Sequence, residues 1–204
     1  MTQPILQVSD GAAVEWIASY GWVLATEAGE RLATGSGPAA GEDPRSFRAE
    51  SYGMLAILRF IKRAFDFQQT IPQGQKTTLI CDNEGLIIRA QKGREWKYPR
   101  TNATLQSEWD LEKAIVTTIQ ELPFPCTLQW VKGHQDDHKD YEDLPLDAQL
   151  NCDADHEAVQ HQTIHATYRP RVPSIVLNTA QPHIPVSYTH MTLPTKIIAV
   201  LPDD

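Results

Sequence analysis

Between residues 46 and 67 the chain reads SFRAESYGMLAILRFIKRAFDF, with Met54, Leu58, Ile61 and Phe65 at i, i+4, i+7 and i+11. That spacing predicts a long helix with one apolar stripe, and Ser46 stands where an N-cap belongs. Glu50 lies one turn before Met54 on the same stripe, so a carboxylate is aimed toward whatever the helix packs against. An unpaired charge in that position is costly, which makes Glu50 a residue that needs a reason.

Segments of a different period surround this helix. PILQVSD at 4–10 alternates, so Leu6, Val8 and Asp10 share one face of a first strand. ASYGWVLATEAGERLATGS at 18–36 holds two strand-like runs joined by EAGE, a Gly-containing connection suited to a hairpin, and GSGPAAGEDP reads as a loop. After the helix, Thr78–Cys81 forms a short strand that runs into Asp82, and NEGLIIRAQKG reads as a short helix. TLQSEWDLEKAIVTTIQEL at 104–122 is a second long helix with Leu111, Ile115, Ile119 and Leu122 in register, and PCTLQWVKGH follows as a strand. A last helix starts at about Leu146, with Leu146, Leu150, Ala154 and Ala158 as its apolar stripe. The order β-β-β-α-β-α-α-β-α is that of an α/β layer architecture.

At 204 residues the chain has room for one good core and an appendage. It has no apolar run of the length a bilayer needs, so a membrane role is not expected. Cys81, Cys126 and Cys152 are odd in number and share no CxxC spacing, and MTQPILQVSD has no basic and apolar leader. A reducing, intracellular setting is expected, with all three cysteines as small core residues. The net charge of −8 argues against a general nucleic-acid binder, but carboxylates that hold divalent cations make a site acidic only while empty.

The acidic residues at element ends or on inward faces are Asp10, Glu50, Asp82 and Asp155. Brought to one edge of the sheet, they would repel one another at neutral pH unless cations sat among them. Hard oxygen ligands in that number suit Mg²⁺ or Mn²⁺, and two ions roughly 4 Å apart activate a water and stabilise the departing oxygen of a phosphodiester. His134, just past a strand end and followed by Asp136 and Asp137, is a residue such a site could use. On the last helix Asp147, Asn151 and Asp155 form a polar stripe beside the apolar one, and Asp147 is read as solvated.

These pieces in this order resemble the type 1 ribonuclease H family, in the retroelement branch where the domain follows a reverse transcriptase. The resemblance rests on VSDG with the later YGWVL, SFRAESYGMLAIL, TLICDNEGL, WVKGHQDD and LNCDADHEA, and spans roughly residues 5–165. It implies a ribonuclease-H-like fold with a five-stranded mixed sheet flanked by helices. It implies that Asp10, Glu50, Asp82 and Asp155 bind two Mg²⁺ ions, with Mn²⁺ as an alternative, and that His134 aids proton handling or product release. The substrate implied is an RNA–DNA hybrid whose RNA strand is cut, and the partner an upstream reverse transcriptase of the same polyprotein. Asn151 matches the family's Asn-x-x-x-Asp pattern with Asp155. The competing acid, Asp153, lies about 200° from Asp155 around the helix. Ser46 and Asn151 are candidate substrate contacts. Nothing in the chain resembles the family's basic handle; QKGREWKYPR, with Trp96, Lys97 and Tyr98, is a short cationic loop in about that place, and aromatic and cationic residues there suit nucleic acid. The loop after His134, QDDHKDYEDLPLD, is longer and more acidic than the family's Gly-rich connection.

The domain is expected to end near residue 165. Residues 166–185, rich in Pro, read as a linker or the start of a lost downstream segment. VSYTHMTLPT at 186–195 resembles the translation of a transposase adapter used in preparing sequencing libraries, differing at Met191 for Leu. Residues 186–204 are therefore expected to be non-native, and the chain a fragment. Three other readings compete: an inactive ribonuclease-H-like connection module, a DNA nuclease or integrase of the same superfamily, and a zinc protein using His134 with His138 or His161 with His165.

Overall fold

A computed structural model describes residues 4–14, 17–41, 45–68, 73–95 and 105–164. The elements follow the expected order: β1 (Ile5–Val14), β2 (Ile17–Thr26), β3 (Arg31–Pro38), α1 (Ser46–Gln68), β4 (Thr77–Cys81), α2 (Glu84–Glu95), α3 (Trp109–Gln120), β5 (Cys126–Trp130) and α4 (Leu146–Ile164). The five strands form one mixed sheet in the order β3-β2-β1-β4-β5. β1, β2 and β3 pair antiparallel, as the EAGE turn predicts, with Gly29 supplying the left-handed residue at φ 87°. β1, β4 and β5 run parallel, joined by crossovers that contain α1 and then α2 with α3.

Alternation along β1 divides the core. Ile5 faces the larger cluster, which holds Met54, Leu58, Ile61 and Phe65 of α1 with Leu111 and Ile115 of α3. Leu6 and Val8 face the smaller one, closed by Leu146, Leu150 and Ala154 of α4. The apolar stripes of α1 and α4 thus cover opposite faces of the sheet.

Both helices come unusually close to the strands. A Cβ on Gly11 would lie 2.3 Å from the Glu50 nitrogen, and one on Gly21 would lie 2.1 Å from the Ala154 oxygen. Ser19, on the same strand as Gly21, donates its hydroxyl to the Ala158 carbonyl at 2.7 Å. The first turn of α1 is also tied to α3: the buried Arg48 guanidinium pairs with Glu108 and Asp110 and donates to the Ala40 carbonyl.

Three expectations need correction. The second long helix begins at Trp109 and not at 104, because Glu108 is left-handed at φ 61° and faces Arg48. β3 runs on through Pro38, where the Ala39 amide still bonds Ala18, so the GSGPAAGEDP loop starts later than its composition suggests. Cys81 and Cys126 are buried, but Cys152 is only half-buried, on the α4 flank that meets Asp136. Residues 165–204, and with them the expected linker, the expected tail and His165, lie outside the described residues.

Gly21→Ala is expected to lower unfolding free energy by about 2–3 kcal/mol, since neither the strand nor the α4 backbone can yield without disturbing its ladder. Urea denaturation checks this, and an unchanged midpoint would show that α4 does not seat on β2 as described.

Candidate active site

The parallel pairing of β1 with β4 ends at Ser9 opposite Cys81, and one further step in that register puts Asp10 beside Asp82. Asp10 stays in the β1–β2 ladder opposite Gly21, while the chain leaves β4 at Asp82 to enter α2. The two carboxylates therefore lie where the sheet opens. Asp10 is buried; its Oδ1 accepts the Gly11 amide at 2.6 Å and its Oδ2 accepts the Asn151 side-chain amide at 3.0 Å. Burial raises its pKa first, and the charges of Asp82 and Asp155 add to this, so that it is pushed up to about 8 against the lowering effect of those two hydrogen bonds.

Glu50 arrives from the first turns of α1, seated by the contact of its own backbone with Gly11. Oε1 accepts the Ser46 hydroxyl at 3.3 Å, and Oε2 faces the Cys81 thiol at 3.5 Å. Burial, then the charges of Asp10 and Asp82, and a hydrogen bond to Asp82 hold the Glu50 proton well above the usual carboxylate range. One donor atom each from Glu50, Cys81 and Asp82 all lie within 4.8 Å of one another. Asp82 Oδ1 is buried without a hydrogen-bond partner among the described residues.

Asp155 projects from α4, one turn after Asn151. Burial raises its pKa first; Asp136 and Asp82 raise it further, while His134 and His156 lower it. Asp155 is thus within electrostatic reach of both Asp82 and His134. Asn151 is buried and its amide nitrogen is on Asp10, a position that braces a carboxylate. His134 is exposed and left-handed at φ 51°, at the head of a short 3-10 turn, Gln135–Asp137. The preceding Gly133 is required by contact: a Cβ there would lie 2.3 Å from Asp82 Oδ2. Asp153 points away, to Arg31 at 2.9 Å and the Tyr141 hydroxyl at 2.7 Å. Asp147 stays at the surface, where it accepts an exposed hydrogen bond from Gln129 at 3.1 Å. Trp96, Lys97 and Tyr98 lie outside the described residues.

Sequence reasoning missed two groups. The Cys81 thiol, kept protonated by burial, contacts Glu50. Trp130, 48% exposed at the end of β5, donates its indole N–H to the Asp82 carbonyl at 2.8 Å and fixes the main chain from which that carboxylate hangs. Each neighbours a motif acid in space, and the cysteine also in sequence, which is the one signal that could have drawn attention to it.

The donor set fits a hard divalent cation. Oxygen ligands predominate, burial and then mutual repulsion hold protons on Asp10 and Glu50, and the orphaned Asp82 oxygen lacks a counter-charge. Among the described residues the one group of three donors within range contains no histidine.

No family model matches the chain, and no curated protein matches it. Solved structures do. A ribonuclease H1 isolated from compost, in complex with an RNA/DNA hybrid, superposes with TM-score 0.55 at 16% identity, over 79% of this chain and 99% of that one. The ribonuclease H domain of prototype foamy virus gives TM-score 0.55 at 21% identity, over 80% and 95%. A foamy viral protease-reverse transcriptase in complex with an RNA/DNA hybrid gives TM-score 0.54 at 11% identity, over 80% of this chain and 20% of that one.

The fold is ribonuclease-H-like. The strand order and the helix on each face of this ribonuclease-H-like sheet are what set the four carboxylates at its open edge.

The raised pKa values have a defined consequence for stability. Folded Asp10, Glu50 and Asp155 hold protons that the unfolded chain releases, so the stability they carry is complete below the unfolded carboxylate range, near pH 4, and is lost as pH rises through about 8, the value for Asp10. In EDTA the Tm is expected to fall by several degrees from about pH 5 to about pH 8. Asp10→Asn should flatten that slope and Mg²⁺ should reverse it; thermal melts with the same slope in all three samples would rule the coupled cluster out.

Proposed function

We propose that this chain hydrolyses the RNA strand of RNA–DNA hybrids with divalent-metal assistance. The observation that carries the reading is the meeting of Asp10, Glu50, Asp82 and Asp155, from four separate elements, at one open edge of a ribonuclease-H-like sheet. Two of the neighbouring structures hold an RNA/DNA hybrid, which supports the substrate class.

In this reading Asp10, Glu50, Asp82 and Asp155 would hold the ions, Mg²⁺ or Mn²⁺. The ions, when bound, supply activation of the attacking water and charge stabilisation at the departing oxygen. The chain supplies the rest. Asn151 and the Gly11 amide fix the two oxygens of Asp10, Ser46 and Cys81 orient Glu50, and Trp130 anchors the main chain at Asp82. His134, beside Asp155, takes or returns the proton as water adds and product leaves. The match to a reverse transcriptase over 20% of that protein's length supports a role as the ribonuclease H part of a retroelement polyprotein.

The test is cleavage of a hybrid labelled on each strand. With Mg²⁺ the RNA strand alone is cut; EDTA stops the reaction, and Asp82→Asn slows it roughly a hundredfold or more, since even outer-shell partners of a metal are worth 10- to 100-fold. An intact chain that folds, binds Mg²⁺ and leaves the RNA uncut would point to an inactive connection module, and cutting of the DNA strand to a DNA nuclease.

A further inference from the structure

We propose that Arg89 is a substrate-binding residue that grips a backbone phosphate of the hybrid next to the carboxylate cluster; this rests on the hybrid-cleaving reading above. Arg89 is on α2, one turn after Gly85 and on the same helix face. Both residues face Phe47: a Cβ on Gly85 would lie 3.8 Å from the ring, and the Arg89 guanidinium carbon lies 4.6 Å from its centroid. Phe47 precedes Glu50 by one turn of α1, and Gly85 follows Asp82 by three residues. The ring therefore borders the carboxylate cluster on the side of α1 and α2, and the guanidinium lies over it.

This cation is held differently from those that sit in ion pairs. Arg31 is paired with Asp153, Arg48 with Glu108 and Asp110, and Lys62 with Asp66. Arg89 meets no carboxylate among the described residues. Its Nη1 donates to the Ser107 carbonyl at 3.1 Å and its guanidinium carbon lies over Phe47, which leaves Nε and Nη2 without an acceptor among the described residues. A planar fork with two donor nitrogens, placed by its contact with the ring and by one anchoring hydrogen bond, matches the oxygens of a phosphodiester. The setting gives the contact a purpose: a chain of net charge −8 with acids at its site needs a fixed cation near them to receive a polyanion.

The test measures binding of a fluorescent RNA–DNA hybrid to the cleavage-slowed Asp82→Asn chain across a salt series. Adding Arg89→Gln should weaken binding roughly tenfold at low salt and reduce the slope of log K against log salt by about one, the signature of one lost phosphate contact. Arg89→Lys should keep the slope with intermediate affinity, and Lys62→Gln should change neither. In the active chain Arg89→Gln should raise KM by a larger factor than it lowers kcat. Circular dichroism melts establish that each variant is folded. An unchanged salt slope in folded Arg89→Gln, with the parent binding normally, overturns the role of Arg89 alone. No binding of the hybrid by any of the chains overturns both this role and the reading it rests on.

Discussion

Contact between helix and strand backbones at Gly11 and Gly21 underlies every other feature of the site. The two glycines belong to neighbouring strands, and Gly21 is the register partner of Asp10. At Gly11 the sheet receives α1 on one face, and at Gly21 it receives α4 on the other. With Cβ atoms in between, each helix would have to stand off or slide, and the carboxylates of Glu50 and Asp155 would no longer reach Asp10 and Asp82. The sheet contributes the second half of the arrangement: pairing of β1 with β4 stops at Ser9 and Cys81, so the next residue on each strand is an acid at an opening.

The cluster so formed is an electrostatic liability in the folded chain. Burial and mutual repulsion keep protons on Asp10 and Glu50, and the supports around them fix geometry without removing the charge problem. Asn151, Ser46, Cys81 and Trp130 each hold one acid or its main chain in place, from four different elements. On the proposed reading, such pre-organisation suits a site whose charge is balanced when cations arrive. The loop after His134 fits the same pattern. Tyr141 and Asp153 meet Arg31, and Gln149 caps the carbonyls of Tyr141 and Leu144, so the long acidic segment is latched to the body of the domain.

Much of the fold was legible because its signals are local. The stripe of α1, the alternation of β1, and the strand running into Asp82 follow from period and burial alone, and Glu50 stood out as a charge on an apolar face. The limits of legibility are tertiary. The start of α3 depends on Arg48 reaching across from α1 to Glu108, and nothing in TLQSEW announces that partner. Asn151 carried the family spacing, but its bond to Asp10, 141 positions away, exists only once α4 lies on β2. Asp147 lies at the surface, as the helical wheel suggests, but its exposed hydrogen bond to Gln129 of the edge strand is not in the pattern. Gly11, Gly21 and Gly133 read as ordinary loop or strand glycines until the atoms facing them are known.

The central claim is that these four acids share one cation-holding space. Crystals grown with Mn²⁺ and measured near its absorption edge test it most directly. The account predicts anomalous density between Asp10, Glu50 and Asp82, extending toward Asp155. Well-ordered acids with Mn²⁺ bound only elsewhere on the molecule would contradict it.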